Sequence, residues 1–518
     1  MMKRILCLVL ALLMLVTVGC GTNKKPSGSG NGGGSVNSEY AEHLTITLAI
    51  QEIDGYGDDE WSDYLEEKFN VTIEPVLLDQ ASTQLAAWAA ADELPDIICD
   101  SSLTGAWLNQ FVDDEMLRPI PEDMLKKYPA IYDLCVQNPC WQTSRIMWPD
   151  DIWFVSRPTS QSYAEKGARN CIVYRKDWAA NVGITKAPET WDELYDMLYK
   201  FTYNDPDGNG KNDTYGMLGE YEALFMWMTG AMLDDYIELE NGDLSINWIE
   251  NTEEYIEVLE FVKKCYHEGL WDKEFSGDRT RFTQGLCGVW LSGQADPYWY
   301  HRYFDQEFAG ANELDASQVL DYIGVVPWIV QNAGDTAKVA IAEHASCTAF
   351  SYAASDEVVE RALAICEWMI SEEGNRFRNW GFEGVDYEVN EDGTLTKLHE
   401  QDLRDVYPSL YLQNWPTWDF DSLFENPMYR QEIRDLSREI CDAHAKAAEE
   451  GSTFSVWTYV RTDLKDRFSF SKASRIKALI TDKSKDVRSG MQALRDEAIK
   501  AGILDVIDSV QDLRDANS

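Results

Sequence analysis

No two cysteines of this chain stand at CxxC spacing, which excludes a zinc ribbon and a thioredoxin-type redox pair. Of the 11 cysteines, Cys7 lies in a leader and Cys20 has another role; the other nine (99, 135, 140, 171, 265, 287, 347, 366, 441) are scattered singly. Nine is odd, so in a monomer at least one thiol stays outside any disulfide. Positive charge is scarce as well: 45 Lys+Arg against 90 Asp+Glu leave 45 − 90 = −45. Such a chain repels phosphate backbones, and nucleic-acid binding is excluded. HExxH, GxSxG and P-loop patterns are missing, and the six histidines are isolated, none at metal-ligand spacing. There is no internal repeat, and no long apolar run follows the first twenty residues. Aromatics are abundant, at 12% with 19 tryptophans. With 518 residues, 45% of them apolar, the chain has enough material for two or three domains with real cores.

Lys3 and Arg4 precede an apolar run from Ile5 to Val18 that ends in Gly19, Cys20 and Gly21. A basic n-region, a short h-region and a small residue before the cut make residues 1–19 a signal peptide. The cysteine after that small residue resembles a bacterial lipobox, whose thiol is lipidated and becomes the mature N-terminus. Thr17 stands where an aliphatic residue is usual. Residues 20–40 then form a lipidated Cys20 and a flexible Gly/Ser/Asn-rich tether. These features place the folded protein on the extracellular face of a bacterial membrane, in contact with lipid through the anchor.

Beyond the tether, residues 44–50 alternate and are β-branched, which predicts a strand. Trp61, Tyr64, Leu65 and Phe69 recur at helical spacing. Residues 71–74 read as a second strand, 82–91 as an Ala-rich helix capped by Ser82, and 95–99 as a third strand. This alternation predicts βαβ units with a parallel sheet, whose ligands bind beyond the carboxyl ends of the strands. Residues 51–58 and 100–107 therefore belong to a binding rim. A second α/β region begins near 168–174, with a helix over 191–201, strands at 288–291 and 322–326, a Ser355-capped helix over 356–370, and a mostly helical last stretch.

The leader ending at Cys20, the strand–helix–strand at 44–76, Leu94–Ile98, Val173–Trp178, Thr190–Leu194, Asp205–Gly210 and Asn379–Tyr387 occur together in one order. In that ensemble the chain resembles the extracellular solute-binding lipoproteins of bacterial ABC importers, in the branch that binds sugars and oligosaccharides. The resemblance implies an α/β, two-lobed periplasmic-binding-protein-like fold with an interlobe ligand cleft and hinge strands near 152–160, 320–328 and 370–380. Lobe 1 would comprise 41–155 plus 325–375, and lobe 2 would comprise 156–324 plus 376–518. It implies a monomer that closes on an oligosaccharide and delivers it to the transmembrane subunits of an ABC permease, without catalysis. The alternatives are a lipid-anchored glycoside hydrolase or lyase, or a binder of peptide or another polar solute. Two acids across a scissile bond would mark a hydrolase, but 90 acids make such pairs unavoidable. Ser474 and Lys477 match SxxK without its partner motifs.

Asp205, Asp207, Asn209 and Asp213 fall at positions 1, 3, 5 and 9 of an EF-hand-type loop. Gly210 sits at the sharp turn, and Lys211 offers its carbonyl at position 7. Hard oxygens at alternate positions suit calcium in a structural role. Position 12 is Gly216 rather than a bidentate Glu, so Glu220 or water would complete the shell. Asp, Asn and Gly also make turns unaided.

Sugars stack their C–H faces on aromatic rings and bond their hydroxyls to carboxylates and amides. Trp61, Trp107, Trp227, Trp299, Trp415 and Trp418 are the candidate stackers; Asp100, Asp296, Glu383 and Asp386 are the candidate hydroxyl acceptors. Any one of these tryptophans could equally be core, Trp61 above all, and Glu383 with Asp386 could equally fix a turn. Arg145, Arg157 and Arg175 would serve a uronate or stand as ordinary surface residues. The leader generates the first prediction: the mature chain begins at a diacylated Cys20. Mass spectrometry of the detergent-extracted protein checks it, and a different first residue or an unmodified Cys20 would end the anchoring idea.

Overall fold

The computed structural model describes residues 40–517 except 51–55, 58, 79–80, 101–105, 138–140, 142–143, 146–147, 158–170, 230–235, 240, 294, 327, 336–338, 342–345, 400, 411–423, 425, 451–452 and 458–471. The leader and Cys20 lie outside these. The chain first lays down β1 (Leu44–Ile50), β2 (Val71–Leu77), β3 (Ile97–Asp100), β4 (Leu117–Arg118) and β5 (Phe154–Arg157). It then forms β6 (Cys171–Arg175), β7 (Tyr215–Leu218), β8 (Cys287–Gly293) and β9 (Ile323–Val326), and returns as β10 (Ser346–Ser351).

The first sheet runs β2-β1-β3-β10-β4, with β5 also on β10. β1 pairs in parallel with β2 and β3, as the βαβ reading requires. β10 arrives from the other half of the molecule and pairs antiparallel to β3 and β5. The helix Glu60–Phe69 connects β1 to β2. Asp59 caps its first turn, and Asn70, left-handed at φ 47°, ends it with its N–H on the carbonyls of Glu66 and Glu67. Trp61, Leu65 and Phe69 face the sheet because they share one side of the helix. Ser82 is not a cap: its helix spans Ala81–Ala91, and Ser82 lies inside the first turn.

The second central sheet runs β9-β6-β8-β7. Helix Trp191–Tyr203 packs on it through Leu194, Met197, Leu198 and Phe201, with Thr190 as its cap. β8 carries Gly288 where it meets Phe201, since a Cβ there would lie 2.1 Å from the ring. A small sheet joins Val339–Ile341, Thr453–Trp457, Tyr236–Glu238 and Leu244–Ile246. Helix Thr252–His267 is covered by helices Lys472–Thr481 and Val487–Ala501. Lys263 Nζ donates to the carbonyls of Leu479, Asp482 and Lys485 at 2.9, 2.7 and 2.6 Å, closing the end of the first of these.

Two hydrophobic cores result, one around the first sheet and one around the second. The chain passes between them after Arg157, after Ile341 and after Leu410. The last two passages lie further along the chain than expected. Residues 323–326 are a strand inside the second sheet, so 320–328 is no hinge. Residues 372–380 form a helix whose Phe377 stacks on Trp61 at 5.5 Å, so the stretch belongs to the first lobe. All eight described cysteines are buried thiols. Burial pushes the Cys265 thiol up to about 12, so it stays protonated and unreactive. No helix among the described residues is long and apolar enough to cross a membrane.

Trp61 is fully buried between its own helix and Phe377. Replacing it with Ala should lower the unfolding free energy by about 3–5 kcal/mol. Urea denaturation followed by circular dichroism measures this, and a loss below about 1 kcal/mol would put the indole outside the core.

Candidate functional site

In the second sheet the carboxyl ends of β7, β8 and β9 share one edge with the start of β6. Past that edge, Asp296 ends the connection from β8. Its Oδ1 accepts the N–H groups of Tyr298 and Trp299, each at 3.2 Å, and Pro297 begins the short helix Pro297–Tyr300. Asp296 is completely buried, so it is a cap and not the expected hydroxyl acceptor. What it presents is Trp299, half-buried and stacked on Tyr303 at 4.9 Å and 23°. Tyr298 lies 4.5 Å away, and the Arg302 guanidinium is 5.5 Å from the indole. An indole backed by a second ring is held flat, the form a stacking platform needs.

In the first sheet the carboxyl ends of β1, β3 and β5 likewise share one edge. Asp100 and Arg157 end β3 and β5 opposite Cys347 and Ser346 of the intervening β10. The expected rim stretches 51–55 and 101–105 lie outside the described residues. After the first of them in sequence, buried Asp59 accepts the Ser62 N–H on Oδ1 at 2.9 Å and the Ser409 N–H on Oδ2 at 2.7 Å. Ser409 Oγ in turn accepts the N–H of Gly57. Residues 402–410 are thereby seated on the β1 rim.

Asp386 secures the same stretch. Its carboxylate accepts the Phe382 N–H at 2.7 Å and the Tyr407 hydroxyl at 2.9 and 3.1 Å, and lies 2.8 Å from His399 Nε2. Burial, together with the Asp386 charge, pushes the Tyr407 phenol well up, so it stays protonated and donates. Asp386 is therefore a buried turn-former rather than a hydroxyl acceptor. Gly381 makes room for it, since a Cβ there would lie 2.2 Å from Asp386 Oδ2. Glu383 is exposed in that turn, beside the hairpin of Tyr387–Val389 and Leu395–Lys397.

From this seat the first lobe reaches the second. Arg404 lies over the Tyr298 ring at 4.0 Å and donates to the Tyr429 hydroxyl at 2.6 Å. Asp402 stands 3.8 Å from His301, and Asn426 bonds Asn379 at 3.3 Å. These residues were missed in the sequence, where Asp402 to Arg404 reads as one more capped turn.

Of the remaining candidates, Trp61 is core. Trp107 and Trp227 occupy the helices Ala106–Asp113 and Glu222–Thr229, but their side chains, like that of Asp100, are outside what is described. Trp415 and Trp418 also lie outside the described residues, between Leu410 of the first core and Phe424 of the second. Arg175 pairs with Asp177 at the end of β6 remote from this edge, and Arg145 stacks beside Trp141 within reach of Glu122.

In the loop before β7, the Asn209 amide nitrogen bonds Asp207 Oδ2 at 2.6 Å and Asp213 Oδ1 at 3.1 Å. Asp205 takes the Gly210 N–H on both oxygens, at 3.0 and 3.2 Å. Lys211 is exposed, and its N–H bonds Asn209 Oδ1 at 2.8 Å. Asn209 thus bridges the carboxylates at positions 3 and 9, and no three acidic, His or Cys groups among the described residues are arranged around a metal point. Gly216 explains the missing position 12. It is buried in β7, where a Cβ would lie 2.7 Å from the Leu270 carbonyl and 2.8 Å from Leu198 Cβ, so no glutamate fits. Glu220 follows the far end of β7 and cannot reach back, because the strand rises about 3.3 Å per residue.

Comparison with known proteins bears directly on this arrangement. The model of the family described as bacterial extracellular solute-binding protein matches residues 53–376. Lipoprotein LipO of Bacillus subtilis is 28% identical over 261 residues, 46% of this chain and 48% of its own length. The B. subtilis polygalacturonan/rhamnogalacturonan-binding protein YtcQ is 26% identical over 247 residues, 45% of this chain and 46% of its own. The chain thus spans about half the length of these curated relatives. The structure of the Streptococcus pneumoniae ABC-transporter substrate-binding protein FusA in complex with kestose superposes with a TM-score of 0.65 at 16% identity, over 92% of this chain and 99% of that one. Two sheets, two cores and three passages between them are the two-lobed fold of such proteins, and the chain belongs to the bacterial extracellular solute-binding protein family.

Proposed function

We propose that this protein is the carbohydrate-binding subunit of an ABC importer, held on the extracellular face of the membrane through Cys20. It acts as a monomer that captures an oligosaccharide between its lobes and passes it unchanged to the permease. The observation that carries this reading is the platform of Trp299 and Tyr303, set by Asp296 on the second lobe's edge where the first lobe reaches across. YtcQ binds polygalacturonan and rhamnogalacturonan and FusA is seen with kestose, all saccharides, which supports the same class here. A saccharide touching both rims gains its full contacts when the lobes close, and that difference in affinity drives closure.

Titration calorimetry with neutral and uronate oligosaccharides tests the reading, with chromatography of the recovered glycan. Trp299→Ala should weaken binding by roughly 1–3 kcal/mol, by analogy with base–aromatic stacking, or about 5- to 150-fold. A panel without any binder sinks the proposal, and a cleaved glycan turns it into an enzyme.

We further propose that the loop of Asp205, Asp207, Asn209, Lys211 and Asp213 holds one structural calcium. Four side-chain oxygens and the Lys211 carbonyl would face the ion, with water standing in for position 12. Because a bound ion stabilises the native state by mass action, chelation should lower the melting temperature. Asp207→Ala should abolish that sensitivity. A wild-type melting curve unmoved by chelator leaves the loop a turn.

A further inference from the structure

His301 joins the two cores through an ion pair. Its ring begins the helical stretch His301–Phe308 of the second lobe, partly exposed, with rivals at both nitrogens. Nδ1 lies 3.5 Å from Asp305 Oδ2. Nε2 lies 3.1 Å from the Gln306 amide nitrogen, one turn along the same helix, and 3.8 Å from Asp402 Oδ2 of the first lobe.

We propose that His301 is an acid-sensitive joint between the lobes. In the neutral ring, Nε2 carries a lone pair and accepts a Gln306 N–H, so its bonding stays within the second lobe. A proton on Nε2 ends that acceptance. The Nε2–H then turns to an acceptor, and the carboxylate that faces it is Asp402, across the seam. Histidine charges between pH 5 and 8, the range in which such a change of partner operates.

The surrounding charges decide which carboxylate answers. Asp305 is buried and already holds Arg430 through two bonds, at 2.7 and 3.1 Å. Asp402 caps the turn Leu403–Val406 through the Arg404 N–H at 2.9 Å, an interaction that leaves its second oxygen toward His301. Arg404 and Arg430 both oppose a new positive charge. Arg404 is drawn onto Tyr298 and Tyr429, and Arg430 onto Asp305. Tyr429, its ring 5.8 Å from the imidazole, has its phenol raised by burial and stays neutral throughout. The attraction across the seam is present with the ring protonated and is lost with that proton. Acid therefore favours the apposed lobes, and by linkage any ligand that needs them apposed binds more tightly there.

Small-angle X-ray scattering of the full protein without saccharide tests this at about pH 5 and about pH 8. Failure of the carbohydrate reading therefore leaves this result interpretable. The 90 acidic side chains change the radius in every form, so the quantity read is wild type minus variant. Wild type should contract at low pH more than His301→Gln does. Asp402→Asn should lose the same increment, and the double variant should lose no more than either single one. An increment that is zero, or that survives in Asp402→Asn, overturns the proposal.

Discussion

Asp59 is almost entirely removed from water, and a carboxylate in that position must be met by donors on both oxygens. One oxygen starts the helix that follows β1; the other holds the backbone of Ser409, 350 residues further along. Asp386 repeats the arrangement on Tyr407. Two buried charges converge on a three-residue stretch, immediately before the chain leaves for the second lobe. The seam depends on this anchorage: Arg404 and Asp402 can meet Tyr298, Tyr429 and His301 in a constant place because the segment carrying them belongs rigidly to the first lobe.

Cations are a minority in this chain, and several of them close backbone ends. Arg361 bonds the carbonyls of Phe69, Asn70 and Glu42 at the end of the first helix. Lys263 gathers three carbonyls, and Arg514 bonds that of Gly242. A cation at the end of a helix meets the partial negative charge of carbonyls that lack a partner within the helix. Exposed pairs such as Lys126 with Glu122 contribute little by comparison.

Much of the frame was legible in residue order. The alternation at 44–50, the helix over 191–201, and Ser355 before 356–370 name elements that formed as read, since local periodicity and capping depend on near neighbours. The site was less legible. Trp61 at helical spacing looks the same whether its face meets a sheet or a sugar, and its partner Phe377 is remote in sequence. Asp296 and Asp386 have the chemistry of hydroxyl acceptors, but Asp296 is buried with one oxygen capping a helix, and both Asp386 oxygens are taken by backbone, histidine and tyrosine groups. The passage expected at 370–380 failed for the same reason: the helix there is tied to the first lobe by Phe377 on Trp61, a contact between residues remote in sequence. Arg404 and Tyr298 have no sequence relation from which their contact follows.

The helix Thr252–His267 turns Tyr255, Ile256, Leu259 and Val262 to the interior, and helices from 472 onward complete its cover. Thr453–Trp457 likewise fills the small sheet between strands made more than a hundred residues earlier. A chain that emerges N-terminus first has all strands of the first core once residue 351 is out, whereas the second waits for nearly the whole chain. For that interval an apolar helix face and an unfilled strand position stand open to solvent, which is the state chaperones bind and aggregation exploits. The emergence of residues 268–501 is thus a vulnerable period for this fold, and a pause within it would lengthen the exposure.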